Sequence, residues 1–280
     1  MTAVVKKLGD REDAIWIFRI VNQINQLSQC AALGTSDRAE FETAHMRLFE
    51  LLRQCNDARC ELIQLVQQHI NEVSVGRSVT VTGDGHIEIE HDIEPKLNRV
   101  VNGFFVAART VLYHLFGQKE HPAKGAHIKS VTEILTKCNL SFVHIHDDAK
   151  FEQAAAKYLA FDTSRMAAHL MGVIRGDRKS WSLGLQEIRD TIIHDTSYKG
   201  LKMIYKANSN KVAIGFPRLN GVEMIEFVEL FWKNLVDAVE EITLASLATR
   251  MSSAIAIVPI PEKEWNPELP FRWRAVLLNI

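Results

Sequence analysis

The residues whose types and spacing could do chemistry lie between Ile188 and Asp195, in the run Ile-Arg-Asp-Thr-Ile-Ile-His-Asp. Arg189 carries a planar fork of donors that matches two oxygens of one phosphate. His194 is the side-chain type whose unperturbed pKa lies near neutrality, so it exchanges a proton without extreme conditions. An anion-reading group and a proton-transfer group on one short segment point to phosphoryl chemistry.

The element that must position them is a helix predicted from Trp181 to about Thr196, whose Trp181, Leu185, Ile188 and Ile192 share one apolar face. His194 follows Arg189 by five residues. On an ideal helix that is about 140° round the axis and about 7.5 Å along it. A straight helix therefore presents the pair poorly to one phosphate. Either the helix ends or bends near Ile193, or a second copy of the chain completes the site.

The surrounding pattern is helical over most of the chain. Ile17, Ile20, Ile24 and Leu27 predict a first helix over Arg11 to Gln29, and Gly34-Thr35-Ser36-Asp37 supplies a break and a new N-cap. From Arg38 to Val73 the apolar rhythm predicts one long helix or two stacked ones, with Asn56-Asp57 as the interruption. His45 and His69 lie on that stretch and are expected to be partly buried helix residues rather than ligands. Val79 to Val81 and Ile87 to Ile89 alternate on either side of Gly83-Asp84-Gly85, which predicts a β-hairpin. Pro95 then suits a first helical turn, and Leu97 to Leu115 carries a wide apolar stripe.

Shorter helices are expected over Ala126 to Lys137, Asp148 to Ala160 and Ser164 to Ile174, the last introduced by Asp162-Thr163 as its capping signal. Arg175 to Ser180 reads as a loop leading into the motif helix. Leu201 to Tyr205 and Lys211 to Phe216 flank Asn208-Ser209-Asn210 as a second hairpin. Gly221 to Thr249 reads as a long helix with a seam of Met224, Val228, Phe231, Leu235, Ala238, Ile242 and Ala245. The remaining residues, with four prolines between Pro259 and Pro270, read as strand or extended segments.

The fold expected is mainly α, a helical bundle with small β-hairpin insertions. Its sequence segments are residues 1–92 with long helices and a hairpin, 93–249 with the bundle and a second hairpin, and 250–280 as an extended C-terminal tail.

The arrangement Arg189-Asp190-Thr191-Ile192-Ile193-His194, late in a helical chain and preceded by the long apolar helix from Leu97 to Phe116, resembles the signature of the HEPN superfamily. The resemblance spans about residues 93 to 249 and implies a HEPN-like bundle. Many HEPN proteins are metal-independent endoribonucleases of toxin–antitoxin, phage-defence and RNA-processing systems, with a composite site where two motif helices meet in a homodimer. That arrangement would answer the 140° separation of the pair.

The resemblance implies catalytic roles for Arg189 and His194, with Asp190 in the polar position after the arginine, where Asn is more usual. It implies attack of a ribose 2′-oxygen on the adjacent phosphate, with His194 transferring a proton and Arg189 stabilising charge on phosphorus. Thr191 and Tyr198 are supporting candidates. No cofactor is expected.

Charge distribution adds an independent strand. From Arg165 to Arg218 there are ten Lys or Arg (165, 175, 178, 179, 189, 199, 202, 206, 211, 218) and four acids (177, 187, 190, 195), a local +6 in a chain of net charge −1. Arg175, Arg178, Lys179, Lys199 and Lys202 are the candidate contacts to an RNA backbone. His144-Ile145-His146-Asp147-Asp148 holds metal-ligand types but lacks spaced partners, so a short strand with one wet face explains it better than a metal.

Other classes find no support. The sequence contains no phosphate-binding P-loop, no dinucleotide GxGxxG, no GxSxG and no HExxH. Cys30, Cys55, Cys60 and Cys138 form no CxxC pair and are expected to be reduced thiols. No secretion signal or membrane-spanning run is legible, so a cytoplasmic location away from membranes is expected. The partners expected are RNA, a second copy of the chain and an antitoxin such as a nucleotidyltransferase. Two alternatives remain at this stage: a catalytically silent HEPN module that binds RNA, nucleotide or a partner protein, and a helical assembly protein.

Overall fold

A computed structural model describes residues 16, 18–84, 86–117, 129–137, 141, 145, 147–179, 200–208, 211–219, 221–252, 254–265 and 271–278. The protein is mainly α, and every strand among the described residues belongs to a two-stranded antiparallel pair. Helix α1 is π-wound over Phe18–Gln23 and α-helical over Ile24–Ser28. It is followed by α2 (Thr35–Ser74), β1 (Val79–Val81), β2 (Ile87–Ile89), α3 (Glu94–Phe116), α4 (Val131–Thr136), α5 (Asp148–Phe161) and α6 (Arg165–Asp177). Then come β3 (Ile204–Asn208), β4 (Lys211–Gly215), β5 (Arg218–Leu219), β6 (Val222–Glu223), α7 (Met224–Ala248), β7 (Ile255–Pro259) and β8 (Trp273–Leu277).

The chain divides into two compact units. The first comprises Met1–Glu50, Thr110–Leu183 and Leu235–Ile280, the second Leu51–Arg109 and Gly184–Asn234.

In the first unit a buried polar network ties α1 to α7. Arg19 donates through Nε to Glu240 at 3.0 Å and through Nη2 to Asp237 at 2.8 Å, and Gln23 donates to the other Glu240 oxygen at 2.6 Å. Arg19, Gln23 and Glu240 are all buried, and such charges survive out of water because each is paired. Gln23 Oε1 also accepts from the backbone N–H groups of Arg272 and Trp273 at 2.6 and 2.9 Å. That amide therefore fastens the C-terminal segment, where β7 pairs with β8 in the register Ile255↔Leu277 to Pro259↔Trp273. The segment expected to be an extended tail contains a hairpin. His45 on α2 bonds the Ile20 carbonyl through Nε2 at 3.0 Å, and burial pushes its imidazole pKa down to about 4.

The second unit is built on aromatic packing. Phe105 of α3 meets Phe231 of α7 edge-on at 6.0 Å and Phe227 at 6.3 Å, while the Cys55 thiol of α2 donates to the Phe104 carbonyl. β1 pairs with β2 in the register Val79↔Ile89, and β3 with β4 from Ile204↔Gly215 to Asn208↔Lys211. The two hairpins lie together, β1 beside β4 and β2 beside β3.

Of the two readings of α2, the single long helix holds: it runs unbroken through Asn56-Asp57, where the Asn56 side chain accepts from Arg59 at 2.8 Å instead of competing for its own backbone. Two expectations give way. The cap of α6 is Ser164, whose hydroxyl accepts from Ala167 N–H, while Asp162 accepts from the Ser164 N–H one step earlier. Arg175, Gly176 and Asp177 are helical, not a loop, so α6 reaches further than its composition predicts.

Candidate functional site

Residues 180–199, which contain Arg189, Asp190, Thr191, His194, Tyr198 and Lys199, lie outside the described residues. The site can be approached through the two stretches that flank them in sequence. Each is fastened by side chains, one in the first unit and one in the second.

The upstream stretch is the C-terminal end of α6, which packs on α5. Asp147 starts α5 by accepting from Lys150 N–H at 2.9 Å. The apolar positions Ala167, Leu170, Met171 and Ile174 of α6 and Phe151, Ala155 and Tyr158 of α5 are buried at helical spacing. The guanidinium carbons of Arg175 and Arg178 both lie over the Phe151 ring, at 5.6 and 5.4 Å from its centroid. Arg175 also makes a two-pronged bond to Glu152 at 2.9 and 2.7 Å, which holds that carboxyl below its usual range.

Arg178 is only 2% exposed, and its guanidinium is engaged by the Ile145 carbonyl and the Asp148 carboxylate. A group so placed has no open face for a phosphate. The expectation that Arg178 contacts RNA is therefore corrected to a structural one: it joins α6 to the start of α5. Arg175 keeps partial exposure and Lys179 is exposed.

The downstream stretch begins at Gly200 and is held by α3 and α2. Asn98 accepts from the Leu201 N–H at 2.7 Å and donates to the Leu201 carbonyl at 3.0 Å, so its amide acts like one residue of a neighbouring strand. Glu94 accepts from the Met203 N–H at 2.8 Å. Gly200 has φ +81°, and a Cβ built there would stand 3.0 Å from the Asn98 side chain. Glycine is favoured at that position twice over, by backbone conformation and by the closeness of Asn98.

Two residues further on from Met203, the Tyr205 hydroxyl meets His69 Nε2 at 2.8 Å, with the rings edge to face. His69 is 1% exposed, and its Nδ1 has no hydrogen-bond partner among the described residues. Burial lowers the His69 pKa, opposed by Glu72 and Asp92. Burial, with Glu94 and Asp92 nearby, pushes the Tyr205 phenol up to about 12. Lys202, a candidate RNA contact, is exposed within this stretch.

Of the candidate RNA contacts, Arg175 is partly exposed and Lys179 and Lys202 are exposed, and sequence reading missed the residues that do the fastening: Phe151, Glu152, Glu94, Asn98 and Gly200. His69, expected to be partly buried on its helix, is fully so. His144 and His146 lie outside the described residues, and no group of three or more metal-ligand side chains occurs among those described. No helix of the described residues is long and apolar enough to cross a membrane.

Comparison with protein-family models, with curated proteins and with solved structures finds no match.

Proposed function

We propose that this protein is a metal-independent endoribonuclease of the HEPN type, acting as a homodimer on RNA. The observation that carries the reading is the spacing of Arg189, Asp190 and His194. The mainly helical fold and the exposed Lys179 and Lys202 on either side of that segment support it.

In this mechanism the ribose 2′-oxygen attacks the adjacent phosphorus, the bond from phosphorus to the 5′-oxygen breaks, and a 2′,3′-cyclic phosphate and a 5′-hydroxyl result. His194 moves the proton, and Arg189 stabilises the charge that grows on the phosphoryl oxygens. Neither step needs a metal ion. A restraining antitoxin, of nucleotidyltransferase type, and a role in toxin–antitoxin, phage-defence or stress systems complete the proposal.

The test is cleavage of single-stranded RNA by the purified chain in excess EDTA. Cleavage is expected from the wild type and is expected to fall by about two orders of magnitude or more in Arg189→Ala and in His194→Ala. Full activity in either variant would remove this pair from the mechanism. Binding of RNA without cleavage by the wild type would make the protein a catalytically silent member of the same class.

A further inference from the structure

Directly after the motif segment, the chain is held in the second unit by groups of two kinds. Asn98 accepts from the Leu201 N–H and donates to the Leu201 carbonyl, and Glu94 accepts from the Met203 N–H. His69 holds the Tyr205 side chain, and histidine is the side-chain type whose unperturbed pKa lies nearest neutrality.

The surroundings of His69 decide what that change does. Its Nε2 is used by Tyr205, and its Nδ1 is buried without a hydrogen-bond partner among the described residues. A neutral imidazole tolerates this, because one ring nitrogen can present a bare lone pair. A protonated imidazole must present N–H at both nitrogens, and the second donor would then be buried unsatisfied. Among the described residues, the charged groups that face the couple are Glu72 on the same helix, Asp92 before α3 and Glu94 on α3, with His91 beside Glu72. Glu72 is already engaged by Gln68 and Ser78, and Glu94 by the Met203 N–H. Their attraction offsets part of the burial cost of the cation but supplies no acceptor at Nδ1.

We propose that the His69–Tyr205 couple is an acid-released latch on the chain that leaves the motif segment, holding β3 against α2 when His69 is neutral and letting it go when His69 is protonated. The latch is a property of the fold. Its consequence for cleavage, loss of activity in mild acid beyond that due to His194, rests on the function proposed above.

The sign follows from the direction of the shift. His69 binds its proton less readily in the folded chain than in the unfolded one. Its contribution to stability is therefore full above the unfolded histidine pKa, near 6.5, and is lost as pH falls from there through the lower folded value.

Hydrogen exchange of the full-length protein reads the latch without reference to activity. Protection factors of the amides in Leu201–Asn208, corrected for intrinsic rates, are compared at about pH 7.5 and about pH 5.5 in the wild type, His69→Gln and Tyr205→Phe. The expected result is a fall in the wild type of up to about tenfold, the ceiling that one histidine with an unfolded pKa near 6.5 sets over this interval, with the α3 interior of the same unit (Val100–Arg109) unchanged. His69→Gln retains a group able to bond Tyr205 but does not titrate, so its protection holds at both values. Tyr205→Phe keeps the ring contact and loses the bond, so its protection is already low at the higher value. Equal wild-type protection at both values, a fall in His69→Gln as large as in the wild type, or an equal fall across α3 would each overturn the latch. Failure of RNA cleavage with the exchange pattern intact would overturn the proposed function and leave the latch standing.

Discussion

The two stretches that flank residues 180–199 are fastened by different physics. Upstream, two arginines lie over one buried phenylalanine, and each is paired with a carboxylate, Arg175 with Glu152 and Arg178 with Asp148. Downstream, an asparagine and a glutamate hold backbone groups, a glycine makes room for the asparagine, and a histidine meets a tyrosine. Charge pairing at a partly exposed helix end is weakened by salt, whereas bonds from a side-chain amide to a backbone are not. A buried imidazole responds to pH, which a guanidinium does not. The exposed Arg175–Glu152 pair of the upstream anchor should therefore be sensitive to ionic strength, and the downstream anchor to acid.

Substitutions can break or sharpen this contrast. The largest effect is expected for Arg178→Ala, which leaves the Ile145 carbonyl without its donor and uncovers Phe151. A loss of about 3 kcal/mol in the urea unfolding free energy of the full chain is expected. A loss below about 1 kcal/mol would show that the buried guanidinium is incidental.

Next in size is the downstream clamp. Asn98→Ala removes the acceptor for Leu201 N–H and donors to two carbonyls, those of Leu201 and Glu94, for an expected cost of about 2 kcal/mol that does not change between low and high salt. Gly200→Ala is expected to cost about 1–2 kcal/mol from positive φ and from the approach of Asn98. Because part of that cost is contact with Asn98, the double variant should be less unstable than the sum of the two singles. Strict additivity in the unfolding cycle would mean that the close approach of Gly200 to Asn98 carries no energy.

The smallest effect belongs to Arg175→Ala. Its pair with Glu152 is partly in water, so about 0.5 kcal/mol is expected, and that difference should shrink further in about 1 M salt.

Much of the fold was legible because its signals are local. The β1–β2 hairpin announces itself by alternation round a glycine-rich turn, and the seam of α7 is buried at all seven of the expected positions, Met224 to Ala245. The end of α6 was not legible. Gly176-Asp177 has the composition of a turn, and the contacts that hold the Arg175 side chain against α5, to Phe151 and Glu152, come from residues distant in sequence. The β5–β6 pair is two residues long on each side, too short to show a period. Asn98 is one of several polar residues of α3, and nothing in its neighbours reveals that it reads the backbone of Leu201. Burial of Arg178 was hidden for the same reason: a basic run looks alike whether it faces water or an aromatic ring. The candidate site was legible only as residue types and spacing, since Arg189, Asp190 and His194 lie outside the described residues.

The central claim is that Arg189 and His194 perform 2′-oxygen attack on phosphorus, and the chemistry of the product ends tests it most directly. A 5′-labelled single-stranded RNA is incubated with the full-length protein in EDTA, and the 3′ ends of the fragments are identified. The account predicts 2′,3′-cyclic phosphate from the wild type and none from His194→Ala. Fragments ending in a 3′-hydroxyl, or the same cyclic phosphate at the same rate from His194→Ala, would contradict it.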